Sequence, residues 1–336
     1  MKRIIYILFA STVLMAAACS KNIPDAPPQN RPEAGAPYIF FEAGMLDVSV
    51  TKAVDLIDLF PSENGTTFGV IGHYDDGQTI FDSYENGIAN VYKDDGVFKY
   101  DHLASWMGSV HTFHAFYPNN DLMKANIETG TDNIPYINYM QPTSSINMKD
   151  ILGAHAQVTA SASPTPVALE FQHLLWALNI EIKNSQTQEL TAADPITNPT
   201  LTVRKVDLSI SGFPQMGSLK LDSGYTVEPS SAKVEQLTYN LYSDETGEQI
   251  PAGQFKTYGP LLFMPVSSLT YRVTVEYTTA GGARDTMTGE YKTVSKTFER
   301  GRKYTLTINK TNDKFFEVEG LEPEDWTPNQ FDHTFE

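Results

Sequence analysis

Alternation governs this chain. From Tyr38 onward apolar and polar residues exchange places in one short run after another, and Gly, Pro or Asp closes most of the runs. Residues two apart share a face only on a β-strand, so the pattern selects half-buried strands. The runs are Tyr38–Val50, Thr67–Tyr74, Asn90–Tyr100, Val110–Pro118, Arg204–Phe213, Tyr271–Tyr291 and Arg302–Lys310. Asp94–Gly96 and Ala280–Gly282 mark two of them as hairpins. Asp75–Gly77 ends the second run as a turn, because Asp tolerates turn geometry and Gly supplies positive φ. Many short alternating runs between turn residues predict an all-β sandwich. At 336 residues the chain is long enough for two such domains.

One segment departs from the pattern. In Leu169–Asn184 the residues Phe171, Leu174, Leu175 and Leu178 fall at i, i+3, i+4 and i+7, which predicts a short helix, and the sequence NIEIKN after it predicts a strand. Thr159–Pro166 is small, polar and Pro-containing and reads as a linker. This places an N-terminal domain at 38–163 and a C-terminal domain at 164–336, with the short helix near the start of the second.

The N-terminus is not part of that fold. Lys2 and Arg3 precede an uncharged, mostly apolar run from Ile4 to Met15, then Ala16, Ala17 and Ala18 lead into Cys19. Basic, apolar and small residues in that order predict a secretory signal over residues 1–18. The run is shorter than the ~20 apolar residues that a membrane-spanning helix needs. Cys19 is the only cysteine, so it closes no disulfide within the chain and builds no thiolate metal site. Its position resembles the acylated cysteine of a bacterial lipoprotein signal, with Ala16 where such signals usually place leucine. A plain signal peptide with an incidental cysteine is the other reading. Residues 19–37 hold five prolines and few large apolar side chains, the composition of a flexible tether. Removing residues 1–18 leaves 22 basic against 41 acidic residues, a net charge of −19. Such a surface is unsuited to nucleic acid and to anionic head groups.

Catalytic motifs are missing from the sequence. There is no GxSxG, P-loop, HExxH or dinucleotide fingerprint. His111 and His114 stand three apart, which on a strand sends one imidazole inward and the other to the surface, so they cannot share an ion. The two DDG stretches lack the dozen-residue spacing of a calcium loop. His173 reads as a packed core histidine, and Glu317, Glu319, Glu322, Glu324 and Asp325 as a solvated face. No two carboxylates are singled out as a glycosidase pair. The expectation is a protein that is not an enzyme and takes no cofactor or metal.

Three stretches are similar to one family. Phe113–Asn120 (FHAFYPNN), Asp150–Asn184, and Lys296–Pro328 with its Asp325–Trp326 pair resemble, in that order, segments of the fimbrillin family of Bacteroidetes. The resemblance implies two transthyretin-like β-sandwich domains, export to the outer membrane and cell surface as a lipoprotein through Cys19, and assembly with other pilus subunits by strand donation. It also implies that a protease can cut after a basic residue and remove the first strand. Here that strand is Tyr38–Val50 and the bond is Lys52–Ala53, where stalk subunits often show threonine–arginine. Arg31 is the other basic residue, but Pro32 follows it. The other reading of Lys52 is an ordinary surface lysine, with the strand left in place. The donor element would be the tail after Trp326, in which Phe331 and Phe335 share a parity. Its shortness favours a tip or accessory subunit.

A reading from a different class is a surface glycan-binding lipoprotein of a polysaccharide-uptake system. It requires a face of exposed aromatics, and Tyr92, Tyr100 and Trp106 are the group close enough in sequence to form one. A host or bacterial receptor or glycan is a further expected partner in either case.

Overall fold

The computed structural model defines residues 38–45, 54–55, 68–75, 77–94, 97–160, 166–187, 199–230, 232–278, 283–312, 315–318, 321 and 323–325. Strands dominate them. The expected runs appear as Phe68–Tyr74, the hairpin Ile88–Asp94 with Val97–Tyr100, Val110–Tyr117, Leu201–Ser211, the hairpin Leu269–Thr278 with Arg284–Thr288, and Arg302–Lys310. Phe41–Met45 is the described part of the first run.

A first sheet runs in the order Val54–Asp55, Phe41–Met45, Val167–His173, Leu152–Thr159, Val110–Tyr117, Phe68–Tyr74, Ile88–Asp94 and Val97–Tyr100, with Gln78–Thr79 also paired to Phe68–Tyr74. One face carries an aromatic-rich core that includes Phe41, Phe68, Phe81, Phe113 and Phe171. Where Val110–Tyr117 passes Phe68–Tyr74, Gly69 sits opposite Phe116. A Cβ at Gly69 would overlap the Phe116 ring, so glycine is the residue that fits.

Two five-stranded sheets form the sandwich of the second half. One is ordered Phe255–Phe263, Trp176–Asn184, Arg302–Lys310 and Phe315–Val318, with Pro323–Asp325 also on Arg302–Lys310; the other is Leu237–Ile250, Leu201–Ser211, Leu269–Thr278 and Arg284–Thr288, with Lys292–Val294 also on Leu269–Thr278. Leu269–Thr278 alternates buried and half-buried residues along its length, as expected for a strand with one face in a core. Trp176 lies at the centre of this core, 4.6 Å from the Phe298 ring, 5.0 Å from Phe263 and 5.5 Å from Tyr304. Its indole N–H donates to the Met264 carbonyl at 2.7 Å, so the one polar atom of the ring is satisfied.

A fourth sheet ties the halves together. It is ordered Val227–Pro229, Met216–Lys220, Pro135–Met140 and Ile127–Thr129. Residues 136–140 from the first half pair antiparallel with 216–220 from the second. Ile137, Tyr139, Leu219 and Leu221 join Ile71, Ile88 and Phe116 in the larger core, which continues into the second sandwich. The first sheet is therefore covered on both faces.

Two features differ from the sequence reading. The predicted helix at Phe171–Leu178 is replaced by two strands, Val167–His173 and Trp176–Asn184, which meet at Leu174 and Leu175. Every residue from His173 to Leu178 is buried, because the chain passes from one core into the other there. A continuous apolar run satisfies helical spacing by coincidence. Among the described residues the α-helix is Asp121–Ala125, capped by the Asn120 side chain, which accepts from the Met123 N–H at 2.8 Å. In addition, Val167–His173, beyond the expected linker, pairs with Phe41–Met45 and Leu152–Gly153 of the first sheet.

Replacing Trp176 by Ala removes the centre of the second core and leaves a cavity that strand backbones cannot close. The expected loss is about 3–5 kcal/mol of unfolding free energy, read by denaturant titration of the variant against the parent chain.

Candidate functional site

The start of the described chain makes the most informative set of contacts. Along Tyr38–Ala43 the side chains alternate: Ile39, Phe41 and Ala43 are buried, while Tyr38, Phe40 and Glu42 face solvent. Phe41 meets Phe113 edge-on at 5.5 Å, Tyr100 at 5.6 Å and Phe81 at 6.4 Å. Beside them Phe68 packs edge-on against Phe171 at 5.2 Å. Together these rings form an aromatic floor under the strand.

The backbone is held as firmly. Phe41–Met45 runs parallel to Val167–Phe171, and Gly44–Met45 pairs antiparallel with Val54–Asp55. The Val167 N–H donates to the Phe40 carbonyl at 2.7 Å, and the Ile39 N–H donates to the Ala104 carbonyl at 2.9 Å. The Tyr100 hydroxyl donates to the Ile39 carbonyl at 2.7 Å. Burial pushes the Tyr100 hydroxyl up to about 12, so it stays a donor throughout the physiological range. Of the residues expected to matter, Cys19, Arg31, Lys52, Ala53 and the tail after Asp325 lie outside the described residues. The Lys52–Ala53 bond immediately precedes Val54, whose strand partner is Met45.

The histidine reading needs a correction. His111 and His114 do lie on opposite faces, but both are buried, at 0% and 2% exposure. The surface-facing imidazole was expected because a sandwich sheet exposes one face, and here the sheet is covered on both. His111 lies beside the Trp106 ring at 4.7 Å and accepts from the Met107 N–H at 3.2 Å. His114 Nδ1 lies 2.6 Å from the Leu221 carbonyl of the second half. His173 is a core residue paired at 2.6 Å with Asp150, as a strand residue rather than a helical one.

The remaining expectations divide. Asp75 has φ of 45° and Gly77 of 91°, and the Asp75 carboxylate accepts from the Ser109 N–H and hydroxyl and the Val110 N–H, so this stretch is a turn. Those bonds hold the carboxyl below its ordinary value. Glu324 is exposed beside Lys303 at 3.0 Å, while Glu319 and Glu322 lie outside the described residues. The aromatic group does not form a platform. Tyr100 is buried opposite Val91, whereas Tyr92 pairs with Lys99 and so takes the other face. Among the described residues no group of three or more His, Cys, Asp or Glu side chains is placed to hold an ion, and no helix is long and apolar enough to cross a membrane.

An all-β chain with two cores, a bridging sheet and an N-terminal strand seated on an aromatic floor belongs to the class of β-sandwich proteins. The sequence matches the family model described as fimbrillin-like over residues 51–326, and the chain belongs to that family. Membership of that family makes it a fimbrillin-like protein rather than an enzyme. A search of curated proteins finds no match. Among solved structures, the chain is similar to a fimbrial protein from Bacteroides vulgatus, with a TM-score of 0.57 at 16% identity, covering 86% of this chain and 99% of that one. It is also similar to a protein from Bacteroides uniformis described as a cell adhesion protein, with a TM-score of 0.50 at 19% identity, covering 88% and 100%. At these identities the likeness shows a shared fold.

Two outcomes are expected. Phe41→Ala empties the centre of the aromatic floor and should lower unfolding free energy by about 3–5 kcal/mol, measured by denaturant titration. The second concerns pH. Burial lowers His114 to about 4 and also lowers His73, His111 and His155; Asp222 and Asp75 oppose this in part. Folded, these groups bind fewer protons than unfolded, so their stabilisation is complete above pH ~6.5 and fades as pH falls from there toward about 4. Unfolding free energy should drop by roughly 1 kcal/mol per pH unit between pH 6.5 and 5, and His114→Gln should flatten that slope.

Proposed function

We propose that this protein is a fimbrial subunit or fimbria-associated adhesin that assembles with other pilus subunits by strand exchange. The observation that carries the reading is the seat of the first strand. Phe41–Met45 fills a place between Val167–Phe171 and Val54–Asp55 and covers the floor made by Phe81, Tyr100 and Phe113. It belongs to the stretch that ends just before the Lys52–Ala53 bond.

On this reading Cys19 carries the lipid that delivers the precursor to the outer membrane. Hydrolysis of the Lys52–Ala53 peptide bond then frees everything before Ala53. Loss of the strand leaves the backbone N–H and C=O groups facing it without partners and the aromatic floor bare, both of which are costly. A strand donated by a neighbouring subunit restores the ladder and sets its alternate side chains where Ile39, Phe41 and Ala43 had been. On this reading the tail after Trp326 is the donor element of this chain. We place the passage between the two domains at His173–Leu174, since Val167–His173 pairs with the first sheet and Trp176–Asn184 with the second sandwich.

Intact mass and terminal peptide sequencing of the protein from native cells test this directly. A terminus at Ala53, lost in Lys52→Gln together with incorporation into polymer, is the expected result. A lipid-modified Cys19 as the only terminus in assembled material would overturn strand removal and leave a tethered adhesin.

A further inference from the structure

Strand register builds one wall of a cavity at the seam between the halves. His73 stands opposite Thr112 and His155 opposite His114, on the two strands that flank Val110–Tyr117. Thr112 and His114 are two apart, so period two puts all four side chains on one face. The other face of that strand carries Phe113 and Ala115 into the aromatic core. His114 is the floor of the cavity: it is 2% exposed, and its Nδ1 donates to the Leu221 carbonyl at 2.6 Å. The half-buried rings of His73 and His155 stand beside it, with centres 6.2 and 5.0 Å away.

Turns supply the remaining wall. Asp75 and Gly77 follow His73, Asp132–Ile134 precede Pro135–Met140, and Asp222 and Ser223 come from the second half. A Cβ at Gly77 would overlap the Asn133 amide, so glycine there leaves that side chain its place. Asn133 has φ of 60°, a conformation that asparagine tolerates. The space these groups line is about 470 Å³, within the range of small-ligand sites, which favour such boundaries between units.

The lining selects the ligand chemistry. Asp75, Asp132 and Asp222 present carboxylates, each also fixed by its own turn. Among the described residues that line the cavity there is no Lys or Arg. Lys220 lies beside it, 2.9 Å from Glu228 and 4.0 Å from Asp132. The resulting negative field disfavours an anion. The Thr112 and Ser223 hydroxyls and the Asn133 amide can each donate and accept, and a neutral imidazole does one of each. Burial favours the neutral ring in all three histidines. An alkylammonium only donates, which leaves the donors of this lining unmatched. A hydroxyl both donates and accepts, so a neutral polyol fits the mixed lining, and Ile134 offers contact to its C–H groups.

We propose that this cavity binds the terminal sugar of a neutral glycan. Sugar hydroxyls meet Asp222, Ser223 and Asn133 at the mouth, and His73 and His155 receive those that reach inside. Recognition is polar, comes from both halves of the chain and uses no aromatic platform. The inference deepens the adhesin reading, on which it rests for the presence of glycans around the protein, and needs nothing of strand removal.

Saturation-transfer NMR on the full chain is the test. The probes are galactose, mannose, glucose, fucose and N-acetylglucosamine, each as the free sugar and as its methyl glycoside, whose anomeric oxygen is blocked as in a glycan chain. The methyl glycoside of N-acetylneuraminic acid is the anionic control. At least one neutral methyl glycoside should give a saturable signal at pH 7.5, and the anionic one none. Ser223→Trp, at an exposed turn position, should close the mouth and abolish the signal with the melting temperature unchanged. His155→Ala should weaken binding about threefold to tenfold, the worth of one hydrogen bond. Carbon-13 labelling of the seven histidines adds a readout on the parent chain. The glycoside should shift the His155 ring signal, assigned by its loss in His155→Ala, and leave that of the exposed His102 in place. Absence of a saturable signal, binding of free sugars only, equal binding in Ser223→Trp, or an equal signal from the anionic glycoside would overturn the assignment. None of these outcomes bears on a terminus at Ala53, so the two readings fail separately.

Discussion

Where Val110–Tyr117 crosses the first sheet, every side chain from Phe113 to Phe116 is buried, on both faces. Phe113 and Ala115 lie in one core, and Phe116 joins the other. A strand so placed meets its backbone obligations through its neighbours, and its side chains through two separate coverings. The first covering is the local aromatic core. The second is the bridging sheet, which borrows Met216–Lys220 from the far half of the chain. The halves are thus bound by a shared ladder and a shared core, not by loose contact between finished domains. The burial of His114, the passage of the chain at Leu174–Leu175 and the polar cavity beside Leu221 all follow from this second covering.

The N-terminal strand answers a different demand. Its inward residues, Ile39, Phe41 and Ala43, complete the aromatic core, and its outward residues include Tyr38 and Phe40, both more than two-fifths exposed. The hydroxyl of Tyr100 reaches its backbone rather than its side chains. A segment of other sequence but the same alternation could satisfy the same contacts. Specific backbone recognition with tolerant side-chain pockets is what an exchangeable strand requires.

Much of the fold was legible because period-two alternation is a local signal. Arg302–Lys310 appears with the limits its alternation predicts, and Ile88–Asp94 pairs with Val97–Tyr100, and Leu269–Thr278 with Arg284–Thr288, across the DDG and AGG stretches of the sequence. The helix at Phe171–Leu178 misled because a strand buried on both sides loses alternation, and uninterrupted apolar residues fit either period. The meeting of His73, His114 and His155 was not legible at all. Cross-strand register decides it, and register depends on pairings between residues 41 positions apart, His114 with His155, and 43 apart, Ile71 with His114. Neither could the four-stranded bridge be foreseen, since Pro135–Met140 and Met216–Lys220 carry no mark of being partners. The core role of Tyr100 was likewise hidden, because aromatic content alone does not separate a floor from a platform.

The bridge also gives the molecule a mechanical grain. Five residue pairs join 136–140 to 216–220 in antiparallel register. A tension directed along those strands is borne by all the inter-strand hydrogen bonds together, in shear. A tension directed across them falls on the outermost bond first, and the rest open in turn like a zip. The direction from which a load meets the molecule would then set the force at which its halves part, with no change in any contact.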